Sequence, residues 1–217
     1  MLIEMHGGML TLAAFCTFAM VITRFHQRMR RKCEWYGIFW VLDGFFEKLA
    51  RYAEPTSYLA TIAGFTGLVV SSIVGYYAWP AEVLMNHPLS LNKIMVAIFS
   101  AEFWAMFLMI RSKFGENLWK YDALATLYVC TGFAGFFFMV LTGSLGGHMA
   151  GVHSPGKGSV LDPIYDLLGI RTDVLWLDTV TFLILAFSNV ILILLLLYIF
   201  TTNLRREGTR VSCSRSG

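Results

Sequence analysis

Five apolar stretches, each long enough to cross a bilayer as a helix, constrain this chain more than any other feature. They cover residues 7–25, 57–79, 92–110, 122–146 and 174–200. A helix rises about 1.5 Å per residue, so about 20 apolar residues cross the hydrocarbon core. Hydrophobic residues make up 57% of the chain and charged residues only 14%. We therefore predict an all-α membrane protein with five transmembrane helices in a single membrane domain over residues 1–217.

The lysines and arginines predict how these helices are oriented. Fourteen of the seventeen lie in segments 24–56, 111–121 and 201–217, which share one side of the predicted spans. Because such residues are enriched in cytoplasmic loops, the N-terminus is predicted outside and the C-terminus in the cytoplasm, in a bacterial or archaeal cytoplasmic membrane. At helix ends these residues meet anionic headgroups of the lipid bilayer, which accounts for the net charge of +3. No nucleic-acid partner is therefore predicted.

Two segments differ from the other predicted helices. Residues 35–52, "WYGIFWVLDGFFEKLARY", carry charges among helically spaced apolar residues. They predict an amphipathic helix on the cytoplasmic interface or, equally well, a helix packed on a partner subunit. The last span is rich in Leu and Ile, so the first four helices are predicted to form the bundle and the fifth to lie at its periphery.

Small residues predict where the bundle helices approach closely: Gly67, Ser71 and Gly75 on the second span, and Gly135, Gly143 and Gly147 on the fourth.

Four of the five histidines are predicted on the outer side of the membrane. His6 opens the first span, His87 precedes the third, and His148 and His153 close the fourth. Each imidazole alone could simply bond a backbone carbonyl at a helix end, but their convergence predicts a shared site. Neutral imidazole is the commonest metal ligand, and helical bundles build cofactor sites from facing helices. His26 lies in the cytoplasmic basic cluster and is predicted to be solvated or to face lipid.

Two kinds of cofactor suit these histidines. Two imidazoles on different helices could be the axial ligands of a b-type haem, with a slot beside the small residues of "GSLGGH" (143–148). Alternatively, three or four imidazoles, together with Met149, could hold copper or zinc. The residues alone leave both open.

The segments around these histidines resemble a known family. A His at the outer start of the first span, a Gly-rich second span, "HPLSLNK" (87–93) opening the third and "GGHMAGVH" (146–153) closing the fourth are similar to small bacterial four-span membrane proteins. That family has no assigned function and is predicted to bind haem. The pattern is similar, more distantly, to four-helix membrane cytochromes b.

The resemblance covers about residues 6–153 and implies that His6, His87 and His148 or His153 are haem ligands. Cytochromes b with two stacked haems also have paired histidines near the cytoplasmic ends of their spans, which this chain lacks. The resemblance therefore implies one haem b, near the outer face. It does not extend to the segment 35–55 or to the fifth helix.

Two further features bear on that site. Glu102 lies near the middle of the third span, roughly 22 Å along the axis from His87, too far to share a ligand position. It is either a proton-relay or quinone-contacting carboxyl, or a protonated side chain bonded to a neighbouring helix or partner subunit. In the outer loop 150–173, "DPIYDLLGI" predicts a short helix that could cover the site or dock an electron-carrier protein.

The function predicted from these features is electron transfer. The chain lacks a phosphate-binding loop, a nucleophile elbow and a zinc-protease helix, and its cysteines do not occur at CxxC spacing. We expect a subunit of a respiratory or photosynthetic-type oxidoreductase complex, with no catalytic residues of its own beyond the haem. It would exchange electrons with quinone or an extracytoplasmic electron carrier. The alternatives are a copper- or zinc-handling membrane protein and a cofactor-free structural subunit of a membrane complex.

Overall fold

The computed structural model describes residues 2–32, 40–78, 80–149, 162–170, 174–178, 180–191 and 194. All regular secondary structure in these ranges is helical, which confirms the all-α prediction. A 3-10 turn, Gly115–Lys120, joins two long helices. The α-helices in the described ranges are α1 (Leu2–Lys32), α2 (Trp40–Ala78), α3 (Ala81–Asn86), α4 (Pro88–Phe114), α5 (Asp122–Met149), α6 (Asp162–Leu168) and α7 (Val180–Ile191).

Four of these helices have the length and hydropathy of membrane spans. Large apolar side chains remain exposed along them, including Phe15, Ile73 and Val74, as expected of a surface that contacts hydrocarbon. The chain is therefore an integral membrane protein, as its first four apolar windows predict. The spans are Gly7–Met29, Gly44–Ala78, Pro88–Phe114 and Asp122–Met149.

The predicted fifth span, residues 174–200, is not confirmed. The described part of its helix, α7, covers the 12 residues Val180–Ile191, short of the roughly 20 that cross a bilayer. Residues 192–193 and 195–200 lie outside the described part of the chain. The chain divides into two compact units, Met1–Trp176 and Leu177–Gly217, and α7 belongs to the second.

Asp178 caps α7. Its carboxylate accepts the backbone N–H groups of Val180 at 3.1 Å and Thr181 at 2.9 Å, two of the donors that the first turn of a helix leaves unpaired. The hydroxyl of Thr181 and these backbone bonds hold the pKa of the Asp178 carboxyl below its usual range.

The predicted separate helix over residues 35–52 is not confirmed either. From Trp40 onward the chain forms one 39-residue helix, so residues 40–52 continue directly into the second span. Residues 35–39 lie outside the described part of the chain. The helix passes through Pro55, which has no backbone N–H to donate. Within membranes, neighbouring helices compensate for such a loss.

The four spans form a bundle built from two pairs of helices. The α1 helix packs along α2 and α4 packs along α5, while smaller contacts join α1 to α5 and α2 to α4. The pairs are antiparallel, because Leu10 near the start of α1 meets Gly64 whereas His26 near its end meets Phe46. We call the end where α1 and α4 begin the histidine end, and the end where they finish the basic end.

Glycines allow the closest helix contacts. At Gly64, Gly132 and Gly135 an added Cβ would lie only 2.7 to 3.1 Å from a side chain of the facing helix. Without a hydrophobic driving force in lipid, such close packing is what holds spans together. The predicted contact at Gly135 is confirmed. The predicted contacts at Gly75 and Gly143 are not found, because an added Cβ there would meet no atom of the described residues within 4 Å.

Candidate cofactor site and a buried polar cluster

The predicted histidine ligands divide into two groups. His87 is exposed between α3 and α4, and His148 is half-buried in the last turn of α5. His6 lies on α1, whose backbone is described there, whereas its side chain and the whole of His153 lie outside the described part of the chain.

The topology brings His87 and His148 to the same end of adjoining helices. The contact of Lys93 with Gly146 gives the relative depth of α4 and α5. His87 precedes Lys93 by six residues and His148 follows Gly146 by two, so the two histidines differ in depth by about 6 Å. The start of α1, which carries His6, lies at this end as well.

The ring of His148 has a defined orientation. Its Nδ1 lies 3.0 Å from the carbonyl oxygen of Ser144, one turn earlier in α5. A carbonyl oxygen only accepts, so Nδ1 donates and the lone pair of the neutral ring is on Nε2. Ligating imidazoles in proteins are oriented in this way, by a backbone carbonyl bonded to the other nitrogen.

A short helix packs beside His148. The ring of Tyr165 in α6 meets the imidazole edge-on, with centroids 6.1 Å apart, and its hydroxyl donates to the carbonyl of Leu141 at 3.4 Å. The helix ends at Gly169, whose φ of +68° favours glycine. The predicted short helix in "DPIYDLLGI" is thus confirmed, and it covers one side of the end of α5.

Asn92 ties the following segment to the bundle. This side chain is fully buried in α4, and its amide donates to the carbonyl of Val174 at 2.8 Å and accepts the N–H of Trp176 at 2.8 Å. The indole of Trp176 in turn donates to the carbonyl of Leu168 at 2.9 Å. A buried amide that satisfies two backbone groups holds irregular chain against the end of a span.

The two faces of α5 differ in their packing at the histidine end. On the side that faces α6, Leu141, Leu145 and Tyr165 are packed in an apolar cluster. At Gly143, which lies on the opposite face of α5, an added Cβ would meet no atom of the described residues within 4 Å. His148 follows Leu141 by seven residues, which is two helical turns, so this candidate ligand lies on the packed face and not beside Gly143.

The described residues give less support to the copper or zinc alternative. Among them, no three His, Cys, Asp or Glu side chains come close enough to hold a metal ion together. Met149, a ligand in that alternative, packs against the apolar cluster beneath α6.

Glu102 is buried in α4, with 9% of its surface exposed. Nearby, Ser100 donates its hydroxyl to the carbonyl of Gly135 at 3.0 Å, so polar contacts do cross the α4 and α5 interface at mid-depth. Burial agrees with both predictions made for this carboxyl, the relay and the protonated structural group.

A cluster of buried polar groups at the basic end was not predicted from the sequence. Arg111 of α4 lies 3.0 Å from Glu54 of α2, and only 12% and 13% of these two side chains are exposed. The indole N–H of Trp119 donates to the same carboxylate at 3.1 Å. The guanidinium also lies 5.7 Å from the ring centre of Tyr58, within cation–π range. The cluster therefore ties α2, α4 and the 3-10 turn together.

Hydroxyl groups extend this cluster towards the bundle interior. The side chains of Thr17 in α1 and Ser57 in α2 are buried, with their oxygens 3.0 Å apart, and Ser57 also lies 3.1 Å from the carbonyl of Ala13. Tyr128 of α5 is buried beside them and stacks on Phe107, with centroids 4.0 Å apart. All four spans thus contribute to one polar and aromatic core at this end.

The sequence signal for this cluster was ambiguous. Glu54 precedes the second predicted span and Arg111 follows the third, so both have the pattern of charges that meet headgroups. The prediction for His26 was wrong for a similar reason. Only 4% of this residue is exposed, because its ring packs against Phe46 at a centroid distance of 4.4 Å.

One apolar groove crosses the middle of the α1 and α5 seam. It has a volume of about 210 Å³ and is lined by Ala14, Phe15, Phe18, Phe133 and Phe136. This is below the roughly 300 Å³ at which small-molecule sites begin. Its lining has no metal ligand, so it is not a candidate haem site.

No protein-family model, curated protein or solved structure matched the chain.

Proposed function

We propose that this chain is a membrane electron-transfer subunit that binds one b-type haem at its histidine end, where His148 would hold the iron. The observation that carries the proposal is the hydrogen bond from His148 Nδ1 to Ser144, which leaves the lone pair of the imidazole on Nε2. The second ligand comes from His6, His87 or His153, which the topology or the sequence associates with the same end. Haem supplies one-electron chemistry, and the protein controls it through ligands and surroundings.

The other residues have positioning roles in this proposal. Tyr165 and α6 cover one side of His148 and exclude water from it, while Asn92 holds the segment that follows α6. Glu102, deeper in the bundle, would contact quinone or relay a proton to it.

The orientation belongs to the same proposal. Ten of the seventeen Lys and Arg residues lie in segments 24–56 and 111–121, at the basic end of the described helices, and we place that end in the cytoplasm, as the sequence predicts. The histidine end then faces outward, where it exchanges electrons with an extracytoplasmic carrier. We place the fifth helix at the periphery of the bundle or against another subunit of the complex.

Substitution of each histidine tests the proposal. The full chain is purified in mild detergent, and bound haem is measured as the pyridine haemochrome for His6→Ala, His87→Ala, His148→Ala and His153→Ala. His26→Ala is the matched control, because His26 lies at the basic end and is not a proposed ligand. We expect His148→Ala and one other outer variant to lose haem while the control retains it.

Other results would select another function. Wild-type protein without haem but with stoichiometric copper or zinc, found by elemental analysis, would indicate the metal-handling alternative. Wild-type protein without haem or metal would leave a structural subunit. Haem retained in His148→Ala would contradict the assignment of this ligand.

A further inference from the structure

Lys93 is a charged residue that packs across a helix interface inside a membrane span. It lies in α4, five residues after Pro88, within the span Pro88–Phe114. Its ammonium and Cε atoms lie against α5, only 3.2 and 3.4 Å from where a Cβ on Gly146 would be. A lysine inside a span is costly unless it meets a partner, so it is a candidate binding residue.

The register of α4 and α5 shows that this contact is part of the helix packing. Trp104 of α4 lies against Gly135 of α5, and Lys93 lies against Gly146. The spacing is eleven residues on both helices, so the two contacts belong to one antiparallel register. Lysines that snorkel extend along their own helix towards the interface. Lys93 instead reaches sideways to the neighbouring backbone, where a glycine makes room for it.

Its ammonium has no anionic partner within the described part of the chain. Glu54 is paired with Arg111 and Asp122 with Arg28, both at the basic end. Yet Gly146 precedes His148 by only two residues, so the positive charge lies about 3 Å in depth from the proposed haem ligand.

We propose that Lys93, held in place by Gly146, binds an anionic oxygen group at the histidine end. Two sources can supply such a group: a carboxylate of haem coordinated by His148, or the phosphate of a lipid headgroup. The haem source rests on the proposed function, whereas the lipid source does not. In both cases the ammonium donates a charge-assisted hydrogen bond to the anion.

The test compares Lys93→Gln, which removes the charge, with Lys93→Arg, which keeps it. Lys120→Gln, exposed at the basic end, is the control for loss of one positive charge. Gly146→Ala keeps the lysine but displaces its ammonium, and it serves as a second variant should Lys93→Gln fail to fold. Haem b affinity is measured by optical titration of the full chain in detergent. Retention of phosphatidylglycerol is measured by native mass spectrometry.

We expect Lys93→Gln to weaken one of these two ligands by roughly tenfold or more, the effect of losing a hydrogen bond to a charged group. Lys93→Arg restores it, Gly146→Ala weakens it, and Lys120→Gln leaves it unchanged. A loss of haem affinity identifies a carboxylate of haem as the bound group. An effect on phosphatidylglycerol retention alone identifies the lipid phosphate as the bound group. If the wild-type protein also binds no haem, the proposed function fails while this proposal stands. Unchanged affinity for both ligands, or equal losses in Lys93→Gln and Lys93→Arg, would overturn it.

Discussion

Removing the charge of Glu54 is expected to destabilise the bundle strongly. Glu54→Gln keeps the shape of the side chain but leaves the guanidinium of Arg111 without its counter-charge, in a place where only 12% of the arginine side chain is exposed. Breaking one side of a buried pair costs about 3 to 5 kcal/mol, because the remaining charge stays desolvated. Since both side chains keep some exposure, we expect about 3 kcal/mol.

A second ion pair provides the matched control. Arg28 of α1 pairs with Asp122 of α5, but 62% and 75% of these side chains are exposed. Exposed pairs contribute about 0 to 1 kcal/mol, so Asp122→Asn is expected to cost less than about 1 kcal/mol. Both variants change an acid to its amide and remove one ion pair between spans.

Reversible unfolding in mixed detergent micelles, followed by far-UV circular dichroism, gives the free energy of unfolding for each variant. The double variant Glu54→Gln with Arg111→Leu completes a cycle with the two single variants. We expect the double variant to lose less than the sum of the single losses, because no unpaired charge then remains buried. Equal small losses in Glu54→Gln and Asp122→Asn would refute the reasoning that burial sets the strength of this pair.

Three other features give predictions of their own. Gly132→Ala should cost about 1 to 3 kcal/mol of unfolding free energy through overpacking, whereas Gly143→Ala on the same helix should be neutral or stabilising; detergent unfolding compares them. Asn92→Leu should cost about 2 kcal/mol and raise hydrogen exchange in residues 174–176, because two backbone groups lose their partner. Thr181→Val should raise the lowered pKa of Asp178, measured by carbon NMR titration; the cap is lost as pH falls through that pKa. An unchanged midpoint would contradict the role of the hydroxyl.

Hydropathy was sufficient to predict the four spans, because each must bury its backbone polar groups within one helix. It was not sufficient to predict their ends. The second predicted span begins at residue 57, whereas the helix begins at Trp40 and continues through Pro55. Charges near a span do not stop a helix when they are paired inside the protein. Glu54 is such a charge, and its partner lies on another helix 57 residues away.

Glycine patterns show the same limit at the level of packing. Gly135 and Gly143 lie on one helix, yet an added Cβ meets Trp104 at the first position and no atom of the described residues within 4 Å at the second. Helical spacing places small residues on a common stripe, but the facing side chain decides whether the stripe is in contact. The position of His148 at the end of α5 and the short α6 helix were predictable, because both depend on local sequence. The contact between them depends on tertiary packing.

Haem content of the wild-type chain is the measurement that decides the proposed function. Protein purified from membranes in mild detergent is reduced with dithionite, and its pyridine haemochrome is compared with its protein concentration. We expect one b-type haem per chain, with a reduced-minus-oxidised spectrum that disappears in His148→Ala. A chain with no haem, or with two, would contradict the proposal.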